Sequence, residues 1–366
     1  MKNIGSVKED LVLEKRVSIT PETTKKLTSL NFSVFLEKKY AEHIGILDEE
    51  YKNNGAKICN TAEEVFKNSE IILKVNSPKS DEINFFKNSS ILISQFDHSL
   101  DKEIINKLVK KNINIFSLSL LPRITRAQSM DILSSQANLA GYRAVIESVE
   151  EFEKVVPMMM TAAGTVTPAK ILIIGAGVAG LQAIATAKRL GGIVFATDVR
   201  AAAKEQVESL GGKFLSVEGA ENLETKEGYA KEAGEDFKKK QQDLLKDTIK
   251  KSDIVICTAL IPGKKAPRII SEEMVKSMKA GSLIYDLATA QGGNSAFSEL
   301  GKINLINGVK VMGPKNVLNN LAVTASNLYA KNLFNFVNNL YDSKTKEILI
   351  NKEDEIINKT LIKKEL

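Results

Sequence analysis

The feature that most constrains this chain is an apolar strand that runs directly into a glycine-rich turn. Residues 171–180 read Ile-Leu-Ile-Ile-Gly-Ala-Gly-Val-Ala-Gly, and a helical pattern follows over 181–190. In such a unit Gly175 allows the tight turn, Gly177 lets the backbone approach a pyrophosphate, and Gly180 lets the helix pack closely on the strand. The N–H groups at the start of the helix then bind the phosphates. The motif therefore predicts a Rossmann dinucleotide-binding domain.

An acidic residue stands where such a domain needs one. Asp198 ends the next apolar strand, and Arg200 follows it closely. A carboxylate at this place hydrogen-bonds the adenosine ribose and repels a 2′-phosphate, which favours NAD(H) over NADP(H). Two alternatives remain open at this stage. Asp198 could be a surface cap, and Arg200 could instead favour NADP(H).

Strands and helices alternate through most of the chain, which is typical of mainly parallel sheets covered on both faces. Two long helical patterns interrupt this alternation, one over 133–152 and one from Asn316 onward. We therefore predict an α/β fold with two doubly wound lobes, the second a Rossmann domain inserted between the N-terminal lobe and a returning C-terminal helix. The predicted bounds are 1–135 with 315–366 for the N-terminal lobe and 136–314 for the Rossmann domain.

The predicted strands are short apolar runs. In the N-terminal lobe they are Asn3–Val7, Ser33–Leu36, Glu70–Val75, Ile91–Ser94 and Ile113–Leu118. In the second domain they are Ala169–Ile174, Ile193–Thr197, Lys213–Leu215, Asp253–Cys257, Ser282–Tyr285 and Val309–Met312. In the first lobe helices are expected near 22–30, 61–67, 80–87 and 101–110. The polar segment 218–236 is predicted to be a mobile surface loop.

Composition excludes several classes of protein. The 366 residues carry a net charge of +6, but the basic runs 238–240 and 264–265 lack interleaved aromatic residues, so we expect no nucleic-acid binding. The two cysteines are far apart and there are only two histidines, so we expect no metal site. The N-terminus lacks the apolar core of a signal peptide. The apolar stretch 155–187 is broken by Pro157 and Pro168, so we expect no membrane span.

A polar loop precedes the first long helix. Over 122–143 it gathers Arg123, Gln128, Asp131 and Ser134 into a short stretch. An ion pair between Arg123 and Asp131 would leave the Gln128 amide available to a ligand. The alternative is a capped helix start with incidental charges, and the pattern alone favours that interpretation.

This loop resembles the Arg-Gln-Asp loop of the NAD(H)-binding component of proton-translocating transhydrogenases. The similarity runs through essentially the whole chain and is most specific in this loop. The other matching segments are 14–21, 228–232, 258–263, 284–288 and 354–357.

The resemblance implies roles for individual residues. The nicotinamide end of NAD(H) would be organised by Arg123, Gln128, Asp131 and Ser134. The pyrophosphate would be held by Gly175, Gly177, Val178 and Gly180. The adenosine end would be held by Asp198, Val199 and Arg200. Further residues expected to line the cofactor are Gly228, Gln241 and Leu260. Tyr229 would close over the bound nucleotide.

The same resemblance implies a function and an assembly. Hydride would pass directly from NADH on this chain to NADP⁺ on a partner subunit. The chain would form a homodimer and join membrane-embedded and NADP(H)-binding subunits, from the cytoplasmic side at the inner face of the cell membrane. Its end at Leu366 suggests a separately encoded soluble subunit. Two alternatives remain: an enzyme similar to alanine dehydrogenase, using Arg16, Lys74 and His98 on an oxo-acid, and a non-catalytic NAD(H) sensor.

Overall fold

The structure is a computed structural model. It describes residues 3–96, 101–200, 202–216, 235–261 and 264–362, without the side chains of 235–238 and 241. The chain divides into two compact units. Unit 1 comprises Met1–Gln136 and Leu318–Leu366, and unit 2 comprises Ala137–Val317.

Unit 1 is built on a six-stranded sheet in which every strand pairs parallel to its neighbours, in the order β3-β2-β1-β4-β5-β6. Its strands are β1 (Asn3–Ser6), β2 (Ser33–Glu37), β3 (Ala56–Cys59), β4 (Ile71–Leu73), β5 (Ile91–Ser94) and β6 (Asn114–Ser117). The helices are α1 (Pro21–Ser29), α2 (Asp48–Asn53), α3 (Ala62–Asn68) and α4 (Lys102–Lys110). The central strands β4 and β5 are buried throughout, as in a sheet covered on both faces.

Local chemistry explains where the first helix begins. Thr20 accepts a hydrogen bond from the Thr23 backbone N–H, the Thr23 hydroxyl accepts one from the Thr20 N–H, and Pro21 takes the first helical position. This is a capping box with proline at N1, and both features favour helix initiation. The helix expected near 80–87 is instead a single 3₁₀ turn, Glu82–Phe85. The sequence analysis missed β3, which is four residues long and lies at the sheet edge.

The helix α5 (Ile132–Glu151) leads into unit 2, whose seven-stranded sheet has the order β11-β10-β9-β12-β13-β15-β14. A hairpin of β7 (Met159–Thr161) and β8 (Gly164–Val166) precedes it. The sheet strands are β9 (Lys170–Ile174), β10 (Ile193–Thr197), β11 (Lys213–Phe214), β12 (Ile254–Cys257), β13 (Leu283–Asp286), β14 (Lys302–Ile306) and β15 (Val309–Gly313). The helices are α6 (Val178–Arg189), α7 (Ala203–Ser209), α8 (Glu235–Ile249) and α9 (Glu272–Lys276).

Both sheets follow the doubly wound pattern, and the prediction of fold class is confirmed. In each sheet the first strand lies between the second and the fourth, so β1 lies between β2 and β4, and β9 between β10 and β12. Ligands of such sheets bind where the strand order reverses, beyond the carboxyl ends of the strands. In unit 2 the antiparallel edge strand β14 is an addition that the sequence analysis did not predict.

The chain then returns to unit 1. The second long helix, expected from Asn316, is α10 (Ala322–Leu340), and a 3₁₀ segment, Val317–Leu321, precedes it. A short hairpin of β16 (Tyr341–Asp342) and β17 (Glu347–Ile348) follows, and α11 (Glu355–Thr360) comes last. One face of α10 packs into the unit 1 core through Tyr329, Leu333 and Phe336, so this returning helix is an integral element of the lobe.

Candidate functional site

The glycine turn after β9 has the geometry that a pyrophosphate site requires. Gly175 has a φ of +92°, a left-handed conformation that favours glycine. A Cβ added at Gly180 would lie 1.9 Å from the Gly175 carbonyl oxygen, so only glycine lets α6 start this close to the strand. A Cβ added at Gly177 would meet no protein atom within 4 Å. The turn therefore leaves open space next to Gly177, at the N-terminal end of α6.

The neighbouring strand braces this turn. Thr258, just after β12, donates its hydroxyl to the carbonyls of Ile174 (3.1 Å) and Gly175 (2.9 Å). The next residue, Ala259, is held in turn by the buried Asn294 side chain, which accepts from its N–H (3.1 Å) and donates to its carbonyl (2.9 Å). The sequence analysis matched Thr258 only as a member of a family segment and missed Asn294, whose role depends on contacts distant in sequence.

Asp198 lies beside the turn and is already engaged. Its Oδ2 accepts from the Ala176 N–H (2.7 Å) and from Arg200 Nη2 (3.0 Å). Its Oδ1 accepts from the Arg200 N–H and Nε, both at 2.9 Å. These donors fill the lone-pair positions of the carboxylate. The acid expected to bind ribose is thus tied both to the glycine turn and to the adjacent cation.

The other residues expected at the cofactor are distributed as follows. Val178 and Leu260 are exposed at the carboxyl ends of β9 and β12, and Val199 is half-buried after β10. Gln241 lies on α8, and its side chain is not among the described ones. Gly228 and Tyr229 lie outside the described residues, as does most of the segment 218–236; its last two residues already belong to α8.

One close approach in unit 2 was not anticipated. A Cβ added at Gly141 on α5 would lie 2.0 Å from the carbonyl oxygen of Ala179, inside the glycine-rich segment. The absent side chain thus lets α5 pack directly against the first turn of α6. Gly141 lies in the loop segment that was matched to a family, but no role was assigned to it there.

The polar loop of unit 1 follows β6 and ends in α5. Arg123 and Gln128 are exposed, and Gln128 lies in the 3₁₀ segment Thr125–Met130. The Asp131 carboxylate accepts from the Ser134 N–H (2.9 Å) and hydroxyl (2.5 Å). Asp131 therefore caps α5, as the alternative interpretation held. The expected ion pair of Arg123 with Asp131 is not among the ion pairs of the described residues, and Ser134 occupies the carboxylate instead.

A buried ionic cluster lies where the strand order of the unit 1 sheet reverses. The Arg16 guanidinium binds both oxygens of Glu14 (2.9 and 2.7 Å) and the Gln136 side chain (3.0 Å). The Lys74 ammonium lies between Glu9 (3.6 Å) and Glu82 (3.4 Å). Burial lowers the pKa of Lys74, but the two glutamates outweigh it, so the pKa is raised overall.

This cluster bears on the alanine dehydrogenase alternative. An ammonium with a raised pKa stays protonated at neutral pH and does not serve as a general base. The Arg16 guanidinium already holds a carboxylate from its own chain in bidentate geometry. The third member of the set, His98, lies outside the described residues.

A second buried acid ends β13. Asp286 accepts the N–H groups of Ala288 and Ser295, both at 2.9 Å. Burial raises the pKa of Asp286, and these hydrogen bonds partly oppose the shift. Its place in the folded core makes it an organiser of the loop after β13.

Metal-binding clusters and membrane-spanning helices are both absent from the described residues. These residues contain no group of three or more His, Cys, Asp and Glu side chains that could hold a metal ion. Within the same residues, no helix has the length and apolar character that crossing a bilayer requires.

Comparison with known proteins gives consistent matches. Residues 5–140 match the family model "Alanine dehydrogenase/PNT, N-terminal domain", and residues 144–365 match "Alanine dehydrogenase/PNT, C-terminal domain". The first of the NAD(P) transhydrogenase subunit alpha polypeptides of Rhodospirillum rubrum is 51% identical over 307 residues, which cover 82% of this chain and 80% of the relative. The alanine dehydrogenase of Methanococcus maripaludis is 29% identical over 80% of this chain and 73% of its own length.

A solved structure agrees with these sequence matches. The crystal structure of transhydrogenase from Sinorhizobium meliloti superposes with a TM-score of 0.90 and 45% identity, and the match covers 98% of each chain. The transhydrogenase relatives are thus considerably more similar in sequence than the alanine dehydrogenase.

Proposed function

The chain belongs to the alanine dehydrogenase/PNT family, and we propose that it is the NAD(H)-binding, hydride-donating subunit of a proton-translocating NAD(P) transhydrogenase. It is an oxidoreductase component of the transhydrogenase type, as its identity to the alpha subunits indicates. The observation that carries the proposal is the glycine turn, with open space at Gly177 and Asp198 fixed beside it.

These residues fit the dinucleotide. The pyrophosphate would lie against Gly177 and Val178, where the first N–H groups of α6 have no side-chain cap and a Cβ would intrude. Asp198, with Val199 and Arg200 next to it, would take the adenosine ribose. Leu260 and Gly180 would border the same edge, and Gly228 and Gln241 are carried over from the family.

NADH supplies a hydride from its nicotinamide ring, and NADP⁺ held on a partner subunit receives it. Transfer between two carbons needs no general acid or base, which agrees with a chain that has only two histidines. The protein's task is to hold the ring and to exclude water. We assign the ring to the Gln128 amide and to Arg123, with Asp131 and Ser134 fixing the start of α5 beneath them and Tyr229 closing over the site.

The name of the relatives implies further subunits, and we propose three kinds of partner. One is an NADP(H)-binding subunit, one is a membrane-embedded subunit that carries the protons, and one is a second copy of this chain. The hairpin β7–β8 supports the homodimer, because every residue of its two strands is exposed and Met160 is 80% exposed. The complex would lie on the cytoplasmic side, peripheral on the inner face of the cell membrane.

The alanine dehydrogenase alternative has less support. Its expected cations, Arg16 and Lys74, are buried and paired with glutamates of the same chain. The 29% identity to an alanine dehydrogenase is also well below the 51% identity to the transhydrogenase subunit.

The test measures NADH oxidation by the purified chain under two conditions. One contains NADP⁺ and the NADP(H)-binding domain of a transhydrogenase, and the other contains pyruvate and ammonium without a partner. We expect turnover only with the partner. Gln128→Asn should lower the transfer rate at least about tenfold, because a shortened side chain misplaces the ring, while NADH affinity stays within about threefold.

The matched control is Gln206→Asn, at an exposed glutamine on α7, which should transfer hydride at the unaltered rate. Turnover with pyruvate and ammonium alone would contradict the proposal in favour of an oxo-acid dehydrogenase. NADH binding without transfer in either condition would leave the sensor hypothesis.

A further inference from the structure

The Gln128 turn, residues 125–130, is a short exposed segment that must nevertheless have one position. It is a 3₁₀ segment, a geometry with weaker hydrogen bonds than an α-helix, and Gln128 projects from its exposed side. Ala127 and Met130 are buried beneath it in the unit 1 core. What fixes the turn laterally comes from the far end of the chain.

Asp354 forms the first lateral contact. Its carboxylate receives both Nη atoms of Arg126, at 2.7 and 2.8 Å, in bidentate geometry. The same carboxylate accepts the Ile356 N–H (2.8 Å) and the Ile357 N–H (3.4 Å) as the N-cap of α11. The guanidinium beside it lowers the pKa of the Asp354 carboxyl. Because Asp354 is itself anchored by a helix, it offers Arg126 a fixed partner.

Helix α10 forms the second lateral contact. The carbonyl of Ser129 accepts from the Nδ2 atoms of Asn332 (2.8 Å) and Asn335 (2.9 Å). Asn332 is buried, and its Oδ1 accepts from the Ser135 hydroxyl at 2.7 Å, so its orientation is determined. The backbone at Ser129 is therefore held from the same returning segment that holds Arg126.

We propose that Asp354 and Asn335 are positioning residues that hold the Gln128 turn for hydride transfer, an inference that rests on the proposed function. Gln128 lies between Arg126 and Ser129, which are tied to the returning segment on either side of it. Neither Asp354 nor Asn335 touches the nucleotide in this proposal. They act through the turn, by limiting the positions that the Gln128 amide occupies.

The main variant is Asp354→Asn in the full chain. Asparagine is as good an N-cap as aspartate, so α11 should keep its start while the charged pair with Arg126 is lost. The matched control is the neighbouring exposed acid, Glu353→Gln. A second variant, Asn335→Ala, removes one donor to Ser129 and leaves Asn332 in place.

We expect Asp354→Asn to lower the partner-dependent transfer rate about tenfold or more, because small misplacements of a reacting group are costly. NADH affinity should stay within about twofold and the thermal midpoint within a few degrees. Asn335→Ala should give a smaller loss of the same kind, Asp354→Glu should recover some of the rate, and Glu353→Gln should not change it. An unchanged rate in Asp354→Asn, or equal losses of rate, affinity and midpoint, would overturn the positioning role.

Amide hydrogen exchange separates this inference from the proposed function. In Asp354→Asn the amides of 124–131 should exchange faster than in the unaltered chain, and those of α6 should not. Failure of the unaltered chain to transfer hydride would refute the proposed function, whereas unchanged exchange in 124–131 would refute the positioning of the turn by Asp354.

Discussion

The glycine turn allows a prediction in which two neighbouring alanine substitutions have opposite consequences. In Gly180→Ala the new Cβ would start 1.9 Å from the Gly175 carbonyl oxygen, and contacts under 3.0 Å are essentially never seen, so the carbonyl must retreat by about 1 Å. That carbonyl accepts the Thr258 hydroxyl at 2.9 Å, so the retreat also breaks the link between β9 and β12. Overpacking costs about 1–3 kcal/mol and the lost hydrogen bond about 1 kcal/mol.

Gly177→Ala should leave the fold intact. Gly177 has a φ of −72° and a ψ of −170°, which alanine adopts without strain, and its Cβ meets no protein atom within 4 Å. Its effect on the free energy of unfolding should stay within about 0.5 kcal/mol. The bound pyrophosphate, however, would need the space that the methyl group fills. NADH affinity should therefore fall at least about tenfold, which corresponds to about 1.4 kcal/mol.

The assay combines thermal unfolding without nucleotide with titration of NADH followed by its fluorescence. Gly180→Ala should lower the midpoint of unit 2 by roughly 10 °C, given about 2–4 °C per kcal/mol for a domain of this size. Gly177→Ala should unfold like the unaltered chain and bind NADH weakly. If Gly177→Ala binds NADH normally, the pyrophosphate does not lie against this turn. If it unfolds as early as Gly180→Ala, the packing argument is wrong.

Two further predictions concern close packing elsewhere. Glu14→Gln should lower the free energy of unfolding by about 3–5 kcal/mol, because it leaves the buried Arg16 guanidinium without its charge partner; Glu22→Gln, in an exposed ion pair, should change it by less than about 1 kcal/mol in the same urea titration. Gly141→Ala, whose Cβ would lie 2.0 Å from the Ala179 carbonyl, should weaken NADH binding in the fluorescence titration by displacing the start of α6; an unchanged affinity would show that α5 yields instead of the turn.

The sequence predicted those regions of the fold that depend on short-range patterns. The glycine spacing identified the turn after β9, because Gly175 and Gly180 each meet a local steric requirement. The strands that lie inside the sheets were predicted from buried apolar runs. Two edge strands were not: β3 has an exposed lysine within its four residues, and β14 exposes Ile303 and Leu305 without polar alternation.

Long-range contacts explain what else the sequence analysis missed. Asp354 lies 228 positions from Arg126, and no local pattern connects the two. The same holds for Asn294 and Ala259, and for Gly141, whose missing side chain matters only because α6 packs there. At Asp131 the sequence offered both a ligand-binding role and a helix cap. The hydrogen bonds from Ser134 select the cap, and the capped helix start then supports the exposed Gln128 in the proposed site.

The state of Asp198 determines how the proposed site would choose its nucleotide. Its carboxylate is filled by Ala176 and Arg200, so ribose hydroxyls must replace donors instead of adding to them. The Ala176 N–H belongs to the glycine turn and moves only with it, whereas the Arg200 guanidinium rotates away on a flexible side chain. The guanidinium is therefore the group that yields to the ribose. Because the Ala176 N–H still fixes the carboxylate, the acid stays in place against a 2′-phosphate, and NAD(H) is preferred even with an arginine close by.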